Sequence, residues 1–326
     1  MCSRLTSSGS TATSIIATVR EADHQHADIV SGFSLLVEEP SKSEEAAQMP
    51  LVVAIHSASS IPLEVDSVRL EDARELSADA VARTLIQRGN RQVELGEFFH
   101  VSGSASDNTM VWEGDCSKVK LIGTGLSDGS IRVTGNAGMH LGAEMTGGEI
   151  IAEQNTADWV GAEMHGGRIH VKGNAGHLVG AAYRGGRRGM TGGEIVVDGS
   201  AGNEIGHTMR RGLIAIGGRT GDALGFNMIA GTIVLAGDDH GIRPGASMRR
   251  GTIAYLNSNG APDMLPTFKD AGTHSAEFLG MYVAHLRAVG FPLPDGIDGC
   301  SYRRFTGDHL EMGKGEVLIR ESGANA

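Results

Sequence analysis

The stretch Gly148-Glu-Ile-Ile-Ala-Glu-Gln-Asn-Thr-Ala-Asp-Trp-Val-Gly-Ala-Glu-Met-His-Gly166 holds one complete copy of a unit that recurs along the chain. Each copy starts at a glycine, and the starts are Gly129, Gly148, Gly167, Gly193, Gly212, Gly231 and Gly251. Successive starts lie 19, 19, 26, 19, 19 and 20 residues apart, so one interval carries a seven-residue insertion. A fixed period of this kind predicts a repeat architecture in which neighbouring copies stack and share one core.

Aliphatic residues occupy fixed places within the unit. The second residue after each start is always isoleucine: Ile131, Ile150, Ile169, Ile195, Ile214, Ile233 and Ile253. The fourth residue after the start of the first six copies is Val133, Ala152, Val171, Val197, Ile216 and Leu235. This alternation is typical of a strand with one face buried.

A methionine follows later in six of the units, at Met145, Met164, Met190, Met209, Met228 and Met248. Such a column could bind copper or a docking partner, because thioether sulfur is a soft ligand. Methionine is also a flexible filler of cores, and identical stacking favours that interpretation. We expect the methionine column to be buried.

Glycines recur where the backbone has to turn, and a glycine tolerates the positive φ that such corners require. Stacked strands lie about 4.8 Å apart, so equivalent side chains would form continuous internal columns. The pattern predicts a mainly β fold: a right-handed parallel β-helix, a single-stranded solenoid with about 19 residues per coil. Ile122, Gly123 and Leu126 occupy the same phases and indicate a weaker unit before Gly129.

The composition of the flanking segments divides the chain into four predicted parts. They are a disordered extension over 1–48, an N-terminal α+β cap over 49–109, the β-helix repeats over 110–256 and a C-terminal helix-and-strand cap over 257–326. In the N-terminal cap we expect strands at Pro50–Ile55 and Leu63–Val68 and a helix capped by Ser77 at Ala78–Gln87. In the C-terminal cap we expect a helix at Phe278–Val289 covering the last coil, and a strand pair within Arg303–Ile319.

The charge and the cysteines limit the classes of function. The 326 residues carry a net charge of −11, which disfavours nucleic acid because no basic domain is available to neutralise phosphates. Three separated cysteines, Cys2, Cys116 and Cys300, fit a reducing cytoplasm and contain no CxxC pair for a metal. We find no apolar run long enough for a membrane span and expect a cytoplasmic protein.

Patterns typical of catalysis are weak. Gly123–Gly129 does not fit a dinucleotide loop, and His24-Gln25-His26 has no second ligand cluster, so we expect no metal site. Asp238-Asp239-His240 occupies a loop phase and is interpreted as an ordinary turn. Glu144 and Glu163 are the best acid pair for an alternative function as a standalone, sugar-active β-helix enzyme. No catalytic residue is otherwise assigned.

Arginines gather at one phase of the repeat against this acidic background. The insertion between Gly180 and Met190 and the positions after two later methionines supply Arg184, Arg187, Arg188, Arg210, Arg211, Arg249 and Arg250. Because equivalent phases stack, these side chains should lie along one edge, which we call the arginine edge. The guanidinium fork recognises carboxylates, so the edge is a candidate anchor for a carboxylate-bearing carrier or an acidic partner, although a solvated edge with local ion pairs remains an alternative.

Several motifs of the chain resemble the C subunit of formylmethanofuran dehydrogenase. They are Gly89–Val93, Leu95-Gly96, Val101–Gly103, Ala143–Ile150, Gly180–Gly185, Arg188–Met190, Met248–Ile253, Leu265–Phe268, Tyr302–Arg304 and Gly307-Asp308, within about residues 50 to 320. The glycine-rich unit more distantly resembles the C-terminal domain of the glutamate synthase large subunit.

The resemblance implies a non-catalytic subunit of a multisubunit one-carbon complex that handles formyl groups on a methanofuran-type carrier. The complex would be the bacterial formyltransferase/hydrolase, which takes the formyl group from tetrahydromethanopterin and releases formate, or alternatively the tungsten or molybdenum formylmethanofuran dehydrogenase. The metals of either complex would lie in partner subunits, and this chain would bind no cofactor itself. The arginine edge would hold the glutamate-bearing tail of the carrier.

Overall fold

The computed structural model describes residues 49–257 and 262–321, which form a mainly β structure. The extension predicted over 1–48, with its two histidines, lies outside the described residues. The strands are β1 (Leu51–Ile55), β2 (Leu63–Glu64), β3 (Leu85–Arg88), β4 (Arg91–Glu94), β5 (Phe99–Ser102), β6 (Thr109–Glu113), β7 (Val119–Lys120), β8 (Ser130–Val133), β9 (Glu149–Ala152), β10 (Arg168–Val171), β11 (Glu194–Val197), β12 (Leu213–Ile216), β13 (Thr232–Leu235), β14 (Arg250–Tyr255), β15 (Lys269–Ser275), β16 (Ser301–Gly307) and β17 (Lys314–Arg320). The helices are α1 (Leu70–Ala73), α2 (Ala78–Ala82) and α3 (Glu277–Ala288), with a single 3-10 turn at Leu95–Glu97.

One large sheet carries the repeats. Its strand order is β15-β16-β17-β14-β13-β12-β11-β10-β9-β8-β6-β1-β5, and all pairings from β1 through β6 and β8–β14 to β17 are parallel. Each repeat contributes one of the strands β8–β14, and the isoleucines of neighbouring strands are in register, as in the pairing of Ile195 with Ile214. The isoleucine columns predicted from the spacing are therefore confirmed.

The inward faces of these strands form the main core. Every isoleucine and methionine of the two columns has at most 1% of its surface exposed, so the buried methionine column is also confirmed. Burying each such side chain contributes roughly 1.5–3 kcal/mol. Glycine corners add backbone hydrogen bonds between repeats, for example Gly161 N–H to Leu141 O at 2.8 Å and Gly180 N–H to Val160 O at 2.8 Å.

Helix α3 lies at the predicted position in the sequence. It packs against the outer face of the sheet, where Leu279, Val283 and Leu286 join a second apolar cluster. The cluster includes Ala254 of the last repeat, as predicted, and extends over earlier repeats to Val196, because the outward residues of β11–β14 are also apolar. The parallel run continues from β14 to β17, and the predicted C-terminal strand pair is confirmed as β16 and β17.

The N-terminal region departs from its predicted elements in two places. Ser77 accepts a hydrogen bond from Ala80 N–H as the expected cap, but the helix ends at Ala82. The rest of the predicted helix is strand β3, which turns at Gly89 (φ 60°) into an antiparallel hairpin with β4. The predicted strand at Leu63–Val68 is only two residues long, because the chain turns after Glu64.

No helix among residues 49–257 and 262–321 is long and apolar enough to cross a membrane.

Candidate functional site

The seven-residue insertion projects from its repeat without changing the backbone hydrogen bonding of that repeat. Met190 N–H still bonds to Gly180 O at 2.8 Å, as the methionine and glycine of an uninterrupted unit do in Met209 N–H to Gly206 O at 3.0 Å. Residues 181–189, here called the insertion loop, therefore project as a closed loop. The loop holds three of the predicted site residues, Arg184, Arg187 and Arg188, all exposed to solvent.

Side chains of the two preceding repeats hold the insertion loop. Glu163 accepts a hydrogen bond from Tyr183 N–H at 3.1 Å, and Trp159 Nε1 donates to Ala182 O at 3.4 Å. The Tyr183 ring lies 5.4 Å from that of His140, which also stacks on Trp159 at 5.4 Å. Burial, with the nearby carboxylates Glu144 and Glu163, raises the pKa of the Tyr183 hydroxyl to about 12, so the ring stays neutral.

A first cleft of about 690 Å³ opens between the insertion loop and the edge of the following repeat. Four arginines of the predicted site line it together with an acid, an imidazole and a hydroxyl: Arg187, Arg188, Arg210, Arg211, Glu163, His165 and Thr191. His165 Nδ1 and Thr191 Oγ1 lie 2.6 Å apart. The first cleft therefore combines concentrated positive charge with one carboxylate and further hydrogen-bonding side chains.

A second cleft of about 550 Å³ continues from the first along the same edge. Arg210 and Arg211 line both clefts, and Arg249 and Arg250 line the second. The rest of its lining is less polar and includes Ile229 and Ala230, which lie between the two arginine pairs at the same phase, with Tyr282 of helix α3 and Met312. The structure thus brings six of the seven predicted arginines into one trough, while Arg184 lies in the insertion loop outside the cleft linings.

Most of these arginines lack a counter-ion. Within the described residues Arg249 pairs with Glu311 at 3.5 Å, and no other arginine of the edge forms an ion pair. Lys314 is the register partner of Arg250, which adds further positive charge at this end. Uncompensated guanidinium groups repel one another, so the trough favours an anion that neutralises several of them together. The alternative interpretation, a solvated edge whose arginines form local ion pairs, fits the observed contacts of Arg249 alone among the arginines of the edge.

The other residues considered as candidate site residues from the sequence lie outside the trough or form structural contacts. Asp238-Asp239-His240 forms the loop between β13 and β14, where Asp239 pairs with Arg219 at 3.5 Å. Glu144 is exposed, whereas Glu163 is used in holding the insertion loop. No group of three or more histidine, cysteine or acidic side chains suited to a metal is found within residues 49–257 and 262–321.

The fold and the trough define a class of protein: a mainly β chain of glycine-punctuated repeats on one large, mostly parallel sheet, with an arginine-lined edge. No family model matches the chain. Among solved structures, the chain is similar to one chain of the formyltransferase/hydrolase complex (FhcABCD) from Methylorubrum extorquens, determined in complex with methylofuran. The TM-score is 0.75 at 30% identity, over 83% of this chain and 100% of that chain.

Curated relatives match over shorter stretches. The C subunit of the molybdenum-containing formylmethanofuran dehydrogenase 1 of Methanothermobacter marburgensis is 42% identical over 95 residues, which are 29% of this chain and 24% of the relative. The C subunit of the tungsten-containing formylmethanofuran dehydrogenase 2 of Methanothermobacter thermautotrophicus is 37% identical over 87 residues, 26% of this chain and 32% of the relative. The matches thus span a quarter to a third of these relatives. The chain belongs to the family formed by the C subunits of formylmethanofuran dehydrogenases and of the formyltransferase/hydrolase complex.

Proposed function

We propose that the repeats form a right-handed parallel β-helix, with caps at 49–109 and 257–326. Support comes from the pairing of each repeat with the next through a parallel strand and through further bridges 19 residues apart, such as Ala137 with Thr156 and Ala201 with Thr220. A chain that returns to the same register after each unit, on more than one side, is what a solenoid requires.

The chain is proposed to be the C subunit of a bacterial formyltransferase/hydrolase complex that releases formate in the cytoplasm. One observation carries this choice: the structural likeness to a chain of the M. extorquens complex extends over the whole of that chain, with a TM-score of 0.75 at 30% identity. The role of this subunit is structural, as a frame on which the other subunits assemble, and the metal chemistry belongs to those partners.

The arginine edge is proposed to hold the acidic tail of a methanofuran-type carrier, the class of ligand named for the solved relative. The support is physical. Five of the six arginines in the two clefts have no ion pair within the described residues, and the trough is continuous through Arg210 and Arg211. A chain of glutamates offers carboxylates at repeated intervals, and several guanidinium contacts along one trough add in affinity.

Purification of the tagged chain from its native cells, with metal analysis of what co-purifies, tests the complex. We expect partner subunits with zinc and without tungsten or molybdenum. Tungsten or molybdenum in stoichiometric amount would assign the chain to a formylmethanofuran dehydrogenase instead. Formyltransferase or hydrolase activity of the isolated chain would contradict the structural role and favour a standalone enzyme.

Charge reversal tests the arginine edge. The double variant R210E/R211E alters the two residues shared by both clefts, and Arg91→Glu, an exposed arginine of β4, is the matched control. We expect the purified complex with R210E/R211E to lose most of its bound carrier at low salt, and the control to retain it. Because screening weakens exposed charges, added salt should release carrier from the unaltered complex as well. Equal retention in both variants would contradict the assignment.

A further inference from the structure

Glu163 is an acid in a cleft that four arginines also line. It lies in the first cleft with Arg187, Arg188, Arg210 and Arg211, yet it forms no ion pair with any of them within the described residues. If electrostatics alone governed this cleft, a carboxylate here would only weaken the binding of an anion. The position of Glu163 in the first cleft therefore has a cause other than electrostatic attraction of an anion.

The contacts of Glu163 are with the backbone of the insertion loop. Its carboxylate accepts the hydrogen bond from Tyr183 N–H at 3.1 Å. Tyr183 begins a turn that closes through Gly186 N–H to Tyr183 O at 2.8 Å, with Gly185 at φ +87°. A Cβ on Gly186 would lie only 2.6 Å from Glu163 Oε1, so the turn rests directly on the carboxylate.

The preceding repeat supplies an internal comparison. Glu144 has the same phase as Glu163 and nearly the same backbone, with φ values of 57° and 51°. Both residues also donate their N–H to an alanine carbonyl of the next repeat, Ala162 for Glu144 and Ala181 for Glu163. Glu144 faces no insertion, and its side chain is exposed. The side-chain contact thus occurs at the repeat that borders the loop.

We infer that Glu163 is a positioning residue, which holds the turn at Tyr183–Gly186 so that Arg187 and Arg188 face Arg210 and Arg211 across the first cleft. The inference rests on the proposed anion-binding function and deepens it. A loop with three glycines and three long arginine side chains would lose much conformational freedom on binding, and a hydrogen bond that orders it beforehand lowers that cost. Trp159 donates to Ala182 O, the carbonyl of the same peptide group whose N–H bonds to Glu163, and so supports the loop at the same point.

The charge and the hydrogen bond of Glu163 have opposite effects on anion binding, and two substitutions separate them. Glu163→Gln removes the charge but keeps an oxygen that can accept from Tyr183 N–H. Glu163→Ala removes both. If only charge matters, both variants bind an anion more tightly. If Glu163 positions the loop, Gln binds as well as or better than the unaltered protein, whereas Ala binds about tenfold more weakly, the expected loss of one hydrogen bond to a charged group.

The experiment is calorimetric titration of the full chain with an oligoglutamate peptide at low salt. Glu144→Ala is the matched control, because it introduces alanine at an equivalent backbone position and removes a nearby charge, while no hydrogen bond joins the Glu144 side chain to the loop within the described residues. We expect it to bind no more weakly than the unaltered chain. Rescue by glutamine together with loss in alanine supports the inference. Binding by Glu163→Ala at least as tight as that of the unaltered chain overturns it.

Hydrogen exchange distinguishes failure of this inference from failure of the proposed function. If the unaltered chain does not bind oligoglutamate, the carrier assignment fails, but the amide of Tyr183 still reports on positioning. We then expect its exchange to accelerate about tenfold in Glu163→Ala and to stay slow in Glu163→Gln and Glu144→Ala. Equal exchange in all variants would overturn the positioning role regardless of the ligand.

Discussion

The inner columns and the arginine edge are built by the same repeat and follow opposite rules. At the inner columns the residue type hardly changes from unit to unit, and the side chains are almost fully buried. At the position after each methionine the type changes at nearly every step: Thr146, His165, Thr191, Arg210, Ile229 and Arg249. Stacking imposes identity only where side chains pack in register. The edge is free of that constraint and can carry chemistry.

The largest effect on stability is expected from truncating a side chain of the methionine column. Met209 is fully buried, so Met209→Ala should lower the free energy of unfolding by about 2–5 kcal/mol, through lost burial and a residual cavity. Urea unfolding followed by circular dichroism measures the change.

Two controls sharpen that result. Met281→Ala makes the same substitution on helix α3, where the methionine is 72% exposed, and Arg211→Ala alters the edge. Both should change the unfolding free energy by less than about 0.5 kcal/mol. An edge variant as destabilising as Met209→Ala would show that the arginines are part of the core architecture, and the proposed division would be lost.

A smaller effect is expected at the glycine corners. Gly206 has φ +72°, and a Cβ there would lie 2.6 Å from Ile233 Cδ1, at the end of a buried side chain. Gly206→Ala should therefore destabilise the protein by at least about 1–2 kcal/mol, the usual cost of a left-handed conformation with a Cβ.

The same change at Gly280 should act in the opposite direction. Gly280 lies within helix α3, and a Cβ there would meet nothing within 4 Å. Gly280→Ala should stabilise the protein by about 0.5–1 kcal/mol, because alanine loses less backbone entropy in a helix. If thermal melts show that both substitutions shift the melting temperature in the same direction, the corner glycines are not required by backbone geometry.

The repeated features of the fold could be predicted from the sequence. One spacing of 19 residues determined the strand positions, the isoleucine register and the burial of Met145 through Met248, because a strand buried against identical neighbours has little choice of register. The arginine edge followed from the same arithmetic, since equivalent phases stack. Six of its seven members do line one trough.

The sequence prediction failed where contacts are not periodic. The sequence analysis predicted helix α3 over the last repeat but not its extension over the earlier repeats, which the apolar outward residues Val196 and Ala215 indicate. That signal was present in the sequence. The contact between Glu163 and Tyr183 had no such signal, because it depends on the conformation of a single loop.

The smallest predicted effect tests the aromatic contacts that flank the edge. Burial, reinforced by Lys120, lowers the pKa of His140 below its usual range. Above pH of about 6.5 the imidazole is neutral in both the folded and the unfolded chain, and its stacking on Trp159 is fully available. As the pH falls through that value, the unfolded chain takes up a proton that the folded chain resists, so stability is lost at acidic pH.

The variant His140→Phe keeps a ring on Trp159 and removes this titration. Between about pH 8 and pH 5, the unaltered protein should lose more unfolding free energy than the variant, by less than about 1 kcal/mol because the ring is half exposed. An unaltered pH dependence in His140→Phe would mean that the ring of His140 titrates freely, and that the stack beside the insertion loop is open to water.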